Sequence, residues 1–147
     1  MGPMQNIDRI GNLLFERRGP SRMQKVVGIV DDDPSLLGAV DQLLRAAGYD
    51  TELFSAAEAL LDRVETSKAA CLVIDIHLGG ISGIELARQL VALGRTLPII
   101  FMSGAANHAM EAAAFEIGCI AFLHKPFPAN LLLDAVGMAL QALPGRK

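Results

Sequence analysis

The chain has 147 residues, a formal net charge of −3, 52% hydrophobic residues and 20% charged ones. That length suits a single domain with a buried core, and the apolar share excludes intrinsic disorder as the main state. The absence of a basic surplus speaks against general nucleic-acid binding, and no uncharged apolar run approaches the roughly 18–20 residues of a bilayer span.

Charge is unevenly spread. Residues 1–25 hold five basic groups against two acidic, whereas the remainder holds eight against fourteen. The shift falls near the breaker cluster Gly19-Pro20-Ser21, where a boundary is expected. Upstream, Ile7, Ile10, Leu13 and Leu14 recur at helical spacing, the pattern of a short amphipathic helix. The N-terminus lacks the apolar core of a signal peptide, so the cytoplasm is the expected compartment.

Val26 to Val30 is a continuous apolar run, as a strand buried on both faces requires. Asp33 then suits a helix N-cap and Pro34 a first helical position. Leu36, Leu37, Val40, Leu43, Leu44 and Ala47 mark one helical face, ended by Gly48. Tyr49 to Phe54 reads as a second strand. Ser55 and Glu58 have capping-box spacing for a helix running to about Glu65. Cys71 to Ile74 is a third strand, ending at Asp75. Ser82 and Glu85 repeat the capping-box spacing, and Ile84, Ala87, Leu90 and Val91 should face inward. Leu97 to Met102 is a fourth strand, ending at Ser103. Asn107 to Ile117 is an alanine-rich helix. Cys119 to Leu123 is a fifth strand, ending near Lys125-Pro126, and Pro128 to Leu143 is the last helix. The two cysteines each open a run read as a buried strand, and those strands should not be neighbours. Cys71 and Cys119 are therefore read as small buried hydrophobes without a disulfide.

Alternation of this kind predicts an α/β fold, a parallel sheet with helices on both faces. In such sheets ligands bind beyond the carboxyl ends of the strands. Those ends carry Asp31-Asp32-Asp33, Asp75, Ser103-Gly104 and Lys125-Pro126. Two like charges about 4 Å apart repel by roughly 4 kcal/mol at an effective dielectric of 20, so either the pKa values of clustered carboxylates rise or a cation sits among them. Carboxylates, carbonyls and waters suit Mg²⁺. Asp31, Asp32 and Asp75 ionised, one Mg²⁺ and a protonated Lys125 cancel in charge, which lets a phosphoryl anion approach a carboxylate. Asp75 is the expected nucleophile and would become an acyl phosphate. Lys125 and Ser103 are expected to hold phosphoryl oxygens.

These residues, in this order, resemble the receiver domain of two-component response regulators, the CheY-like family. The motifs are Ile29-Val30-Asp31-Asp32-Asp33-Pro34-Ser35, Leu72-Val73-Ile74-Asp75-Ile76-His77-Leu78-Gly79-Gly80-Ile81-Ser82-Gly83, Ile99-Ile100-Phe101-Met102-Ser103-Gly104 and Ala121-Phe122-Leu123-His124-Lys125-Pro126-Phe127. Their wording is similar to that of the FixJ-type branch. The resemblance implies a flavodoxin-like three-layer sandwich with strand order 2-1-3-4-5. It implies Asp75 as phosphoacceptor and Mg²⁺ held by Asp31, Asp32, Asp75 and the backbone carbonyl of His77. It places Ser103 and Phe122 at the switch positions, Lys125 at the lysine position, and a cis bond between Lys125 and Pro126. The implied phosphodonor is a sensor histidine kinase or histidine phosphotransfer protein. The implied output is control of an effector or a homodimer through the fourth helix, fifth strand and fifth helix, without nucleic-acid or membrane binding by this chain.

The expected layout is an N-terminal extension over 1–24, partly helical or tag-derived, a receiver over 25–143 and a tail over 144–147. Some positions depart from the common pattern. Ser103 stands for threonine, and Gly79 stands where proline is common and should loosen its loop. Ala105 offers no polar group to orient water, so slow self-hydrolysis is expected. Two alternatives stay open. One is a pseudo-receiver that binds partners without phosphorylation. The other is a haloacid-dehalogenase-like phosphatase using Asp31 and Asp33, although that family wants a later acidic pair and here only Asp134 follows Lys125. Asp33 is read as a cap, and His77, His108 and His124 as surface groups.

Overall fold

A computed structural model describes residues 25–105 and 108–141. Its strands are β1 (Val26–Val30), β2 (Asp50–Phe54), β3 (Cys71–Asp75), β4 (Ile99–Ser103) and β5 (Ala121–His124). Its helices are α1 (Pro34–Ala46), α2 (Ala57–Asp62), α3 (Gly83–Ala92), α4 (His108–Ile117) and α5 (Ala129–Gln141). All four strand pairings are parallel, and the order is β2-β1-β3-β4-β5. The flavodoxin-like expectation is met. The extension over 1–24, its helical stripe, Asn107, Leu143 and the tail over 144–147 lie outside the described residues.

The side-chain period of two divides each inner strand between two cores. Leu72 and Ile74 of β3 join Phe101 of β4 against α2, α3 and α4. Cys71 and Val73 join Ile100 and Met102 against α1 and α5. β3 and β4 are buried along their whole length, which is why they read as unbroken apolar runs rather than alternating ones. β3 and β4 end their apolar runs on Asp75 and Ser103 at the same end of the sheet, and that end carries the site.

Several local readings need correction. The Ser55–Glu58 capping box does not form. The N-cap of α2 is Ala56, which offers no side-chain acceptor; Ser55 stands one residue too early. Val91 is 51% exposed, in the last turn of α3. Cys119 does not open a strand. Its amide closes α4 by donating to Ala114 O at 3.2 Å, after Gly118 turns the chain, and β5 starts only at Ala121. β4 likewise starts at Ile99 rather than Leu97. The second capping box does form on its Ser82 side, where the hydroxyl accepts from Glu85 N at 3.0 Å.

Cys71 is buried and Cys119 half-buried, and both are free thiols. They belong to β3 and to the approach to β5, with β4 between. Burial pushes the Cys71 thiol up to about 12 and the Cys119 thiol up to about 11. Neither is the low-pKa, exposed thiol that reactivity needs.

Candidate functional site

Asp31 follows the last residue of β1 and is fully buried. Its amide donates to Phe54 O at 3.1 Å, continuing the ladder past the strand end. One carboxylate oxygen accepts from Asp33 N at 2.8 Å. The other accepts from Lys125 Nζ at 3.1 Å. Asp75, the last residue of β3, is 4% exposed. Its Oδ1 accepts from His77 N at 3.3 Å, and its Oδ2 lies 3.4 Å from Lys125 Nζ. One ammonium thus bridges two buried acids that come from different strands.

Asp32 is exposed at the mouth of this cluster. Asp31, Asp32 and Asp75 can each offer one oxygen such that the three lie within 4.8 Å of one another. A hard divalent cation fits that donor set: all oxygen, more negative charge than Lys125 alone offsets, and one open side. Burial pushes the Asp75 carboxyl above the usual carboxylate range, and the charge of Asp31 pushes it further. The Lys125 ammonium and the His77 amide oppose this without reversing it. A carboxylate held in this way gains from any added positive charge.

Lys125 reaches the cluster because β5 ends one residue earlier. Its amide donates to Ser103 O at 2.8 Å, and a cis bond joins it to Pro126. Ser103 is 1% exposed. Its hydroxyl donates to Ala105 O at 3.0 Å and accepts from Ala105 N at 3.1 Å. The hydroxyl is therefore held by its own loop. Phe122, partly buried on β5, has its ring centroid 6.5 Å from that of Phe115 on α4 and 5.1 Å from that of His124.

Asp33 caps α1: its carboxylate accepts from Ser35 N at 3.0 Å and Leu36 N at 3.4 Å. That leaves it facing the helix end, as a cap should, and takes it from the acid role the phosphatase reading gave it. His77, His108 and His124 are exposed, and His124 Nε2 lies 3.7 Å from Glu111 Oε1 of α4.

Two features of the site were not singled out from sequence. Gly83 is one. A Cβ there would lie 2.4 Å from Asp75 O and 2.8 Å from Ile74 Cγ2, so only glycine lets the start of α3 press on the end of β3. Its amide donates to Ile76 O at 2.8 Å, which closes the loop after Asp75. The other is Glu58. Freed from capping, its carboxylate lies against that loop, where a Cβ on Gly80 would come 3.0 Å from its Oε2. Gly79 is under no such constraint, since a Cβ there would meet only Asp32 Oδ2 at 3.8 Å.

The family model described as response regulator receiver domain matches residues 27–137. The chain belongs to the response regulator receiver family. Its sequence is 37% identical over 130 residues to the response regulator protein TodT of Pseudomonas putida, covering 88% of this chain and 57% of that protein. It is 32% identical over 120 residues to the transcriptional regulatory protein FixJ of Bradyrhizobium diazoefficiens, covering 81% of this chain and 58% of that protein. Among solved structures, the one titled FixJ-N has a TM-score of 0.76 at 28% identity, covering 82% of this chain and 96% of that one. The response regulator StyR has a TM-score of 0.74 at 39% identity, covering 80% and 60%. The chain spans a little under three fifths of the length of TodT and of FixJ. Receivers belong to two-component systems, where response regulators work with histidine kinases and effectors, and they generally bind Mg²⁺ at an acidic cluster. Among the described residues no helix is long and apolar enough to cross a membrane.

Proposed function

We propose that this receiver, spanning 25–143, takes a phosphoryl group onto Asp75 from a phosphohistidine of a cytoplasmic sensor kinase or phosphotransfer protein. The observation that carries the proposal is the Lys125 ammonium between Asp31 Oδ2 at 3.1 Å and Asp75 Oδ2 at 3.4 Å. It gives one buried carboxylate a cation on one side and a structural acid on the other. In the transfer, an Asp75 oxygen forms a bond to phosphorus as the phosphorus–nitrogen bond breaks. The phosphohistidine ring enters protonated on its other nitrogen, so the imidazole that leaves with that electron pair is neutral. Lys125 stays with the phosphoryl oxygens, and the His77 amide steadies the second Asp75 oxygen. Mg²⁺, held by Asp31, Asp32, Asp75 and the His77 carbonyl, would supply neutralisation of charge on the phosphoryl oxygens.

Phosphorylation adds local charge of about −1 relative to a carboxylate. Ser103 has a hydroxyl to offer the new oxygens, and doing so means leaving both Ala105 groups. That movement draws on the loop into α4. Phe122 then has room to follow. The surface altered is α4, β5 and α5, which already exposes Phe115, Leu131 and Met138 and suits an effector or a second copy. This chain's part is protein contact, without nucleic-acid or membrane binding of its own.

The test is intact-mass spectrometry with acetyl phosphate and Mg²⁺. One added phosphoryl group is expected, absent in Asp75→Asn and absent when Mg²⁺ is chelated. Labelling that survives either change contradicts the proposal. Binding to a partner that is indifferent to Asp75→Asn would favour the unphosphorylated interaction module instead.

A further inference from the structure

The end of the sheet opposite Asp75 carries a groove of about 470 Å³ between the last turns of α3 and α4. Val91, Leu97, Ile99, Ile117, Cys119 and Ile120 supply its apolar lining, with Arg95 the charged member. Val91 in this lining is 51% exposed. The amides of Leu93, Gly94, Arg95, Gly118 and Cys119 cap the carbonyls that end α3 and α4, so the groove offers a partner apolar surface and one guanidinium.

The chain carries a segment that matches this surface. Ile7, Ile10, Leu13 and Leu14 form an apolar stripe at helical spacing, flanked by Arg9, Arg17 and Arg18. Asp8 and Glu16 of the same segment are opposite in sign to Arg95. The segment leads into Lys25 and β1, whose first residue stands at the same end of the sheet as the groove. β3 alone separates β1 from β4, a lateral distance of about 10 Å at ordinary strand spacing. The ten residues between Leu14 and Lys25 reach up to about 33 Å when extended. A tether of that length gives an effective concentration on the order of millimolar, so even weak apolar contact suffices.

We propose that the groove between α3 and α4 is the intramolecular docking site of residues 7–14. The contact is away from the acidic cluster and is independent of phosphorylation. Cys119, in the groove wall, reports on it. In the full chain, the rate of Cys119 alkylation by iodoacetamide is followed by peptide mass spectrometry, with buried Cys71 as the internal reference. The Ile10→Asp/Leu14→Asp variant changes no described core residue and should raise the Cys119 rate about fivefold or more, as loss of a docked cover does. Val91→Asp, at an already exposed rim position, should act in the same direction. An unchanged Cys119 rate in the Ile10→Asp/Leu14→Asp variant overturns the proposal. So does a parallel rise at Cys71, which reports general loosening. Protection that fades on dilution of the full chain overturns it too, because the cover then comes from a second copy.

Discussion

The two ends of this sheet are built to opposite rules. At the carboxyl end, Asp31 and Asp75 are buried together, with one ammonium for two acids. Near the amino end, β1 and β3 carry buried apolar residues such as Val27 and Cys71, and Leu44 of α1 is wholly buried in the same core. One end gains stability from burial. The other holds the Asp31 charge where it disfavours ionisation of Asp75. The difference teaches where stability was given up for chemistry.

Substitutions should separate the two ends by sign as well as size. Leu44→Ala, in the apolar end, should lower stability by about 2–5 kcal/mol, the usual cost of a large-to-small change in a core, read from the midpoint of chemical denaturation. Gly83→Ala should cost about 1–3 kcal/mol, as overpacking does. Because its added methyl pushes on the Asp75 carbonyl, it should also slow phosphoryl labelling, a readout that Leu44→Ala leaves nearly unchanged under folding conditions. Asp33→Ala should cost about 1 kcal/mol through loss of the α1 cap. The smallest effect should have the reverse sign. The folded-state pKa of Asp75 is raised, so its ionised form opposes folding. That penalty is absent in acid, where the carboxyl is protonated in both states, and grows as pH rises through the unfolded value to the folded one. Asp75→Asn should therefore be more stable than the parent protein at neutral pH in chelator, and the gap should close in acid. Excess Mg²⁺ should shrink it from the other side by stabilising only the parent.

The fold was legible because hydrophobic pattern and parallel topology agree. Five runs end in polar residues, and a parallel sheet must gather those ends on one side. That rule alone brought Asp31, Asp75, Ser103 and Lys125 within one neighbourhood, with no knowledge of distances. What stayed hidden depends on approach rather than pattern. Gly83 looks like any glycine after a capping serine until a Cβ is placed against Asp75 O. The grip of Ser103 on the Ala105 backbone involves groups that every residue carries, so no side-chain identity signals it. Ser55 and Glu58 had the right spacing, but the helix starts one residue later than that spacing assumes. Val91 keeps helical phase with Ala87 and Leu90, yet it lies in the last turn of α3 and is half exposed.

The most direct measurement is chemical mapping of the modified residue. After reaction with a phosphohistidine donor and Mg²⁺, borohydride reduction converts an aspartyl phosphate to homoserine, and peptide sequencing by mass spectrometry locates it. Homoserine is expected at position 75, with unmodified aspartate at 31 and 32. Homoserine at either of the latter positions, or phosphate found on His77 with residue 75 untouched, would contradict that assignment.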